Sequence, residues 1–256
     1  MEAHHLQWWE DVTRYLMRHR HTTPFEMVEI KLRVRLPIYV ARQWVRHRTA
    51  SINEYSARYS IVPDEFEVPN ENEIMGQSES NRQGSEGALP KETTEWFRKE
   101  ISNISENSYN IYSEALRRGV SKETARIVLP LNTYTEWYWK TNLWNMFHFL
   151  SLRMDAHAQR EIRAYANTIA EHIVARIAPI SYEAFTDFVL GSTSFSKKEK
   201  SALSFLIRGK GDLEKACEYA GLKLKKIDGT NMKTGEGVEF AKKIEAIKEK
   251  CDTTFS

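Results

Sequence analysis

From Val28 to Leu36 apolar and charged residues alternate without a break: Val28, Ile30, Leu32, Val34 and Leu36 are interleaved with Glu29, Lys31, Arg33 and Arg35. Successive side chains of a strand point to opposite faces, so this period of two predicts a half-buried strand with a charged outer face. Just before it, Thr23-Pro24-Phe25-Glu26 has the form of a capping box, with Thr23 as cap, Pro24 in the first helical position and Glu26 reaching back. Pro37 closes the strand and opens a predicted helix over roughly 37–47. Residues 63–90 are rich in Pro, Asn, Glu, Gly and Ser and read as a long loop or insertion. Apolar positions between Trp96 and Leu116 return at helical spacing and predict a helix over 91–118, stopped before Gly119. Ser121 caps a second, shorter helix that carries Arg126 and ends before Pro130. The Thr-, Tyr- and Trp-rich stretch 131–141 predicts a strand.

Residues 142–178 read as helix in two pieces, with Asp155 as a cap for the second; Pro179 ends the run, and Ser181 opens a short helix that stops at Gly191. Beyond that point the pattern changes to lysine-rich amphipathic segments, two or three helices, opened by a Ser196-x-x-Glu199 capping box. The chain therefore divides into 1–191 and 192–256. The first part is predicted to be α+β, a mixed or antiparallel sheet with flanking helices, and the second a helical C-terminal appendage. No internal repeat is present.

Composition narrows this frame. A chain of 256 residues with 41% hydrophobic and 11% aromatic content is that of a globular protein with a sizeable core. Five of its seven tryptophans, Trp44, Trp96, Trp137, Trp139 and Trp144, fall in the middle of the sequence, where they serve packing or provide flat walls for a ring ligand. The two cysteines, Cys217 and Cys251, have no metal-like spacing and predict a reducing compartment. No stretch is long and apolar enough to span a bilayer, and the N-terminus lacks the pattern of a secretory signal. The expectation is a cytoplasmic protein without a membrane partner.

A net charge of +2 implies no polyanionic partner by itself, but the charge is unevenly spread. Between Lys31 and Arg58 seven Lys/Arg residues meet one acid, Glu54. Lys31, Arg33 and Arg35 share the polar strand face and read as solvated surface. Arg42 and Arg46, four apart on the predicted helix, would repel unless an anion sits between them. With Arg48 they form a cluster whose guanidinium forks suit phosphate. Ser51, Asn53, Glu54, Tyr55 and Ser56 follow at once, a dense set of short polar groups able to grip the edge of a base or ring. The chain has neither a G-x-G-x-x-G nor a G-x-x-x-x-G-K-[ST] loop, which disfavours a Rossmann or P-loop nucleotide site. The Asp155-x-His157 pair lacks a third ligand at suitable spacing, so no metal site is expected.

Read as a motif, Arg46-His47-Arg48-x-x-Ser51-x-Asn53-Glu54-x-Ser56-x-Arg58 resembles the signature of the flavin-dependent thymidylate synthases, at eight fixed positions in thirteen. His21-Thr22-Thr23-Pro24-Phe25-Glu26 is similar to that family's upstream segment, and Pro37 to Trp44 to its helix leading into the motif. Residues 125–132 and 152–159 resemble two later site segments. The resemblance covers roughly 15–190 and leaves 192–256 unmatched. It implies an α+β fold assembled as a homotetramer with active sites shared between subunits. It also implies a non-covalent FAD reduced by NADPH, and methylation of dUMP to dTMP with methylenetetrahydrofolate as carbon donor. By the same resemblance Thr23, Arg46, His47, Arg48, Thr49, Glu54, Asn142, Trp144 and His148 contact the flavin. Gln43, Trp44, Val45, Arg46, Glu54, Tyr55, Ser56, Ala57, Arg58, Arg126 and Arg153 hold dUMP. Arg153, Ser56 and His21 carry the catalytic roles, with Ser56 near the pyrimidine and His21 near the flavin ring.

The chemistry agrees with those roles. A phosphate monoester and a pyrophosphate call for several cations, and Arg153, which stays protonated, could stabilise negative charge developing on a base. Thiolate activation of the same carbon is disfavoured, since no cysteine precedes Cys217. Trp144 stands where many relatives carry Arg, and could stack on adenine or merely pack. Two rivals stay open: a non-catalytic nucleotide- or RNA-binding protein using residues 31–58, and a different flavin- or NADPH-dependent reductase. For the appendage, the helical pair around Gly209-Lys210-Gly211 points to packing or assembly rather than DNA binding, because its second helix is acidic.

Overall fold

The computed structural model describes residues 2–78, 84–226 and 229–254 and divides into two compact units, 1–190 and 191–256. In the first unit the helices are α1 (Glu2–Arg18), α2 (Thr23–Glu26), α3 (Ile38–Trp44), α4 (Lys91–Arg117), α5 (Lys122–Ala125), α6 (Leu143–Arg153), α7 (Arg160–Ile169), α8 (Ala175–Ile177) and α9 (Pro179–Phe185). Its strands are β1 (Glu29–Pro37), β2 (Ser51–Glu54), β3 (Met75–Gln77), β4 (Ser85–Ala88) and β5 (Tyr134–Asn142). Three of them form an antiparallel sheet in the order β1-β5-β2, and β3 with β4 makes a separate hairpin.

β1 carries the expected alternation: Ile30, Val34 and Leu36 are buried, while Glu29, Lys31, Arg33 and Arg35 are exposed. It runs against β5 from Glu29 opposite Asn142 to Pro37 opposite Tyr134. The charged face is neutralised across the sheet by Arg33 on Glu136 at 2.8 Å and Lys140 on Glu29 at 2.9 Å, diagonal pairs within reach of long side chains. On the inner face Trp137 and Trp139 of β5 meet Trp44 of α3, with ring centroids 6.0 and 5.4 Å away, and Phe149 of α6 stacks on Trp44 at 4.7 Å. These rings anchor a core closed by Leu143, Met146 and Leu150 of α6 and Ile162 and Ala166 of α7. Each large side chain withdrawn from water contributes about 1.5–3 kcal/mol.

Several local expectations are corrected. The Thr23 capping box does not form; Thr22 occupies the cap position without a side-chain bond, and Pro24 still sits in the first turn. α3 ends at Trp44, so Arg46 lies in the following turn and does not share a helical face with Arg42. Residues 63–90 hold a 3-10 turn at Glu71–Glu73, capped by Asn70, and the β3–β4 hairpin; 79–83 lie outside the described residues. Asp155 does not cap α7. Its carboxylate accepts from the His157 backbone at 2.8 Å, and Gln159 stands at the cap. The last short helix starts at Pro179 rather than Ser181, because proline's fixed φ suits a first turn.

Among the described residues the second unit holds three helices: α10 (Lys197–Ile207), α11 (Leu213–Tyr219) and α12 (Glu236–Thr254). The Ser196–Glu199 capping box is formed in both directions, and Asp212 caps α11 by accepting from the Lys215 amide. A small core of Ala202, Ala216, Cys217, Leu222, Phe240 and Ile244 joins them. The side chain of Cys251 lies outside the described residues. Among the described residues no helix is long and apolar enough to cross a membrane.

Candidate active site

β5 ends at Asn142, whose side-chain oxygen accepts from the Asn145 amide at 2.9 Å and so starts α6. That cap sets the phase of a helix whose apolar residues are core, whose exposed side carries His148, and whose last residue is the half-buried Arg153. The turn leaving α3 brings His47 to meet them. Arg153 Nε donates to His47 Nε2 at 2.9 Å, and an Arg153 terminal nitrogen reaches the Gln43 carbonyl at 3.4 Å. The His148 ring stands 6.1 Å from that of His47. Gln43 in turn is hydrogen-bonded through its amide to Gln159, at the mouth of α7. In the sequence Gln159 stands out only as the end of the segment 152–159.

The electrostatics of this group are unusual. Burial, and then the neighbouring charge of Arg153 and the ring of His148, push the His47 pKa down to about 4. His47 is therefore a neutral acceptor for Arg153 at neutral pH. Burial also lowers the Arg153 pKa, yet no carboxylate lies within ion-pair distance of its half-buried guanidinium among the described residues. A partly desolvated cation held only by neutral groups is poised for an anion.

A second group forms where β2 leads into residues 55–58. The Tyr55 amide donates to the Glu136 carbonyl at 2.8 Å, and its phenol donates to the Ile61 carbonyl at 2.6 Å, which fixes this segment against β5. Glu54 accepts from the Thr135 hydroxyl at 2.7 Å. Ser56 is half-buried, its carbonyl accepts from the Tyr59 and Ser60 amides at 3.1 Å, and its hydroxyl accepts a long bond, 3.4 Å, from the Arg58 amide. Arg58 grips Glu123 of α5 at 2.9 and 2.6 Å, and Arg126 reaches the Glu123 carbonyl at 3.3 Å. Glu123 was not anticipated, and no local spacing marks it. Among the described residues no hydrogen bond or ion pair links this group to the Arg153 group.

Arg46 and Arg48 are exposed and, among the described residues, meet no carboxylate, unlike Arg33 and Arg35, which are paired to Glu136 and Glu65. The Thr49 carbonyl accepts from the Thr141 hydroxyl at 2.9 Å, which ties the motif to β5. His21 is exposed and lies over Tyr15, with ring centroids 5.9 Å apart; Thr23 is exposed. Trp44 is fully buried, and its indole packs in the core. Val45 and Ala57 are half-buried. Trp144 is half-buried and tilts against Phe25 at 6.3 Å. Beside Gln159 a cleft of ≈ 560 Å³ opens between the β3–β4 hairpin and the start of α7, lined by His157, Arg160 and Arg163 among others.

A family model described as thymidylate synthase complementing protein matches residues 2–180. A flavin-dependent thymidylate synthase of Dictyostelium discoideum is 52% identical over 190 residues, 74% of this chain and 62% of that protein. Another, from Ehrlichia ruminantium (strain Gardel), is 52% identical over 195 residues, 76% of this chain and 65% of that protein. The chain thus spans just under two thirds of the length of these relatives. Among solved structures, a UMP/dUMP methylase, PolB, from Streptomyces cacaoi, bound with 5-Br dUMP, superposes with a TM-score of 0.63 at 35% identity, over 70% of this chain and 80% of that one.

Proposed function

The chain belongs to the thymidylate synthase complementing protein family, and from that premise we propose that it is a flavin-dependent thymidylate synthase. The reaction is the reductive methylation of dUMP to dTMP, with methylenetetrahydrofolate as carbon donor and NADPH as reductant. The observation that carries the reading is Arg153: a half-buried guanidinium that meets no carboxylate among the described residues, oriented by a neutral histidine.

The donor set fits FAD. Among the described residues Arg46 and Arg48 meet no carboxylate and present their guanidinium groups for its pyrophosphate, and His47, His148 and Asn142 offer ring and amide edges; the Asn142 oxygen is spent on the α6 cap. Thr23, Thr49, Glu54 and Trp144 complete the proposed flavin contacts. When bound and reduced, FAD supplies the hydride that completes the methyl group.

The chain's own residues do the rest. Gln43, Ser56, Arg58 and Arg126 bind dUMP, the arginines at its phosphate and Ser56, whose hydroxyl proton meets no acceptor among the described residues, at the pyrimidine. Backbone and side-chain groups of Val45, Tyr55 and Ala57 line the same substrate. Carbon 5 of the uracil must become nucleophilic, which moves negative charge onto the ring oxygens. Arg153 stabilises that charge as a fixed cation and transfers no proton. His47 accepts from Arg153 Nε and leaves the far side of the guanidinium to the base. His21 is assigned to the flavin-facing side with the folate. The Cys217 thiol is not available for thiolate chemistry: it is buried in the core of its unit, and burial pushes its pKa up.

We assign the working form to a homotetramer in which neighbouring subunits complete each site. Two features support this. The Arg153 and Arg58–Glu123–Arg126 groups are separate within one chain. The 27-residue α4 exposes Phe97, Ile104 and Ile111 at seven-residue spacing, an apolar stripe of the kind that packs against another subunit.

The test is release of label from dUMP tritiated at carbon 5, with methylenetetrahydrofolate, NADPH and flavin. Release that requires flavin is expected; folded, yellow, anaerobic protein that releases none overturns the assignment.

A further inference from the structure

α10 carries a second basic face that the proposed chemistry does not use. Lys197, Lys200, Ser201, Ser204 and Arg208 fall at helical spacing on one side, opposite the side on which Glu199 and Ala202 are buried. Lys210, in the turn after the helix, adds a fourth cation. These residues line a half-open cleft of ≈ 530 Å³ together with Phe205 and Tyr219, and no acid takes part in its wall.

None of the four cations meets a carboxylate among the described residues, although nearby lysines do: Lys198 with Glu236, Lys225 with Glu214, Lys243 with Glu199. Two of them, Lys197 and Lys200, stand in the first turn of α10, where the helix dipole disfavours positive charge. Like charges kept together there lower stability unless an anion joins them. The cations also run as a row rather than a ring. Lys197 and Arg208 stand eleven positions apart, about 16 Å along a helix axis, which is far longer than one phosphate group and suits a chain of them.

Aromatic surface lies at the end of that row. Tyr219, from the last turn of α11, is 68% exposed, and its ring stands 5.1 Å from that of Phe205 at an interplanar angle of 31°. Gly209, at φ 64, turns the chain, and Gly211 passes so close that an added Cβ would lie 3.1 Å from the Phe205 ring. The turn thereby holds Phe205 in place beneath Tyr219.

We propose that this face binds single-stranded nucleic acid, the cations tracking successive phosphates and a base stacking on Tyr219. The acidic character of α11, which argued against a DNA-reading helix, does not bear on it. Asp212 is spent on the α11 cap and Glu214 on Lys225, and neither lines the cleft. α10 is the binding element, and no duplex groove is entered.

The test uses the flavin-loaded full chain with dUMP present, and a labelled oligouridylate about a dozen nucleotides long, titrated at several salt concentrations. Four phosphate contacts predict that log K falls with log salt at a slope of about −3. Lys200→Ala with Arg208→Ala should weaken binding at least about tenfold and roughly halve the slope. Tyr219→Ala should cost about five- to 100-fold and leave the slope unchanged. Lys200→Gln with Arg208→Gln repeats the first measurement without shortening the side chains as far, and an unchanged thermal unfolding profile and far-UV circular dichroism spectrum confirm that each variant is folded. Absence of binding at low salt, or binding that survives both double variants, overturns the proposal. So does displacement of the oligomer by UMP at matched nucleotide concentration, which would make the cleft a site for a free nucleotide.

Discussion

Arg153 Nε donates to His47 Nε2 across 2.9 Å, a bond that joins the last residue of α6 to the turn after α3 and spans 106 residues of sequence. It makes one unit of two residues that the motif and its downstream segment carry separately. Removing the guanidinium tests the unit directly. Arg153→Ala should fold, because the side chain is half exposed and ends its helix. Turnover of dUMP should fall about 100- to 1000-fold, the usual cost of deleting one preorganised electrostatic donor. Arg153→Lys should recover little of it, since a single ammonium cannot serve His47, the Gln43 carbonyl and the base together. Thermal unfolding and label release measure both arms, and undiminished turnover in Arg153→Ala would remove it from the reaction.

Burial of His47, with the charge of Arg153 beside it, gives stability a pH dependence. An unfolded histidine takes up a proton near 6.5, whereas folded His47 resists it until about 4. Between those values the unfolded chain binds the extra proton, so acid favours unfolding. The contribution is complete above about pH 6.5 and is lost as the pH falls toward 4. The midpoint of thermal unfolding should therefore drop more steeply over that window in the parent chain than in His47→Gln. Parallel curves would show that His47 is not held neutral by the fold.

Much of this architecture is written at short range. β1 reads clearly because one face is buried and the other charged, and burial then leaves a period of two in the sequence. Arg46, His47 and Arg48 are legible because guanidinium and imidazole have few purposes when packed so densely. The β3–β4 hairpin left no such trace: its strands are short and largely exposed, so no face demanded apolar residues. Asp155 has a capping side chain but bonds His157 instead, since the chain turns once more before α7. The pairs Gln43–Gln159 and Arg58–Glu123 lie 116 and 65 residues apart, and no local spacing can announce a contact of that kind.

Glu123 stands where a phosphate could stand. Its pair with Arg58 is exposed, with 50% and 61% of the two side chains open to solvent, so it contributes at most about 1 kcal/mol to stability. If Arg58 takes the dUMP phosphate, Glu123 competes with the ligand. Glu123→Gln should lower the KM for dUMP by a few-fold with little change in melting temperature, while Arg58→Ala should raise KM about tenfold or more, the loss of a charge-assisted pair. Steady-state kinetics on the two variants decide the matter. A higher KM in Glu123→Gln would mean that Glu123 positions Arg58 rather than competing for it.

Trp44 sits inside the segment that reads as substrate-binding, yet its indole is fully buried against Trp137, Trp139 and Phe149. Its Nε1–H finds no hydrogen-bond partner there. A residue with that environment works through packing. Trp44→Ala should destabilise the first unit by about 3–5 kcal/mol, the cost of an aromatic-to-alanine cavity. Trp44→Phe keeps one ring in the cluster and deletes an unpartnered donor, which offsets part of the lost volume. It should fold with a lowered melting temperature and bind dUMP with an unchanged KM. If Trp44→Phe instead raises KM several-fold while its melting temperature holds, the indole reaches the substrate and its place in the core is wrong.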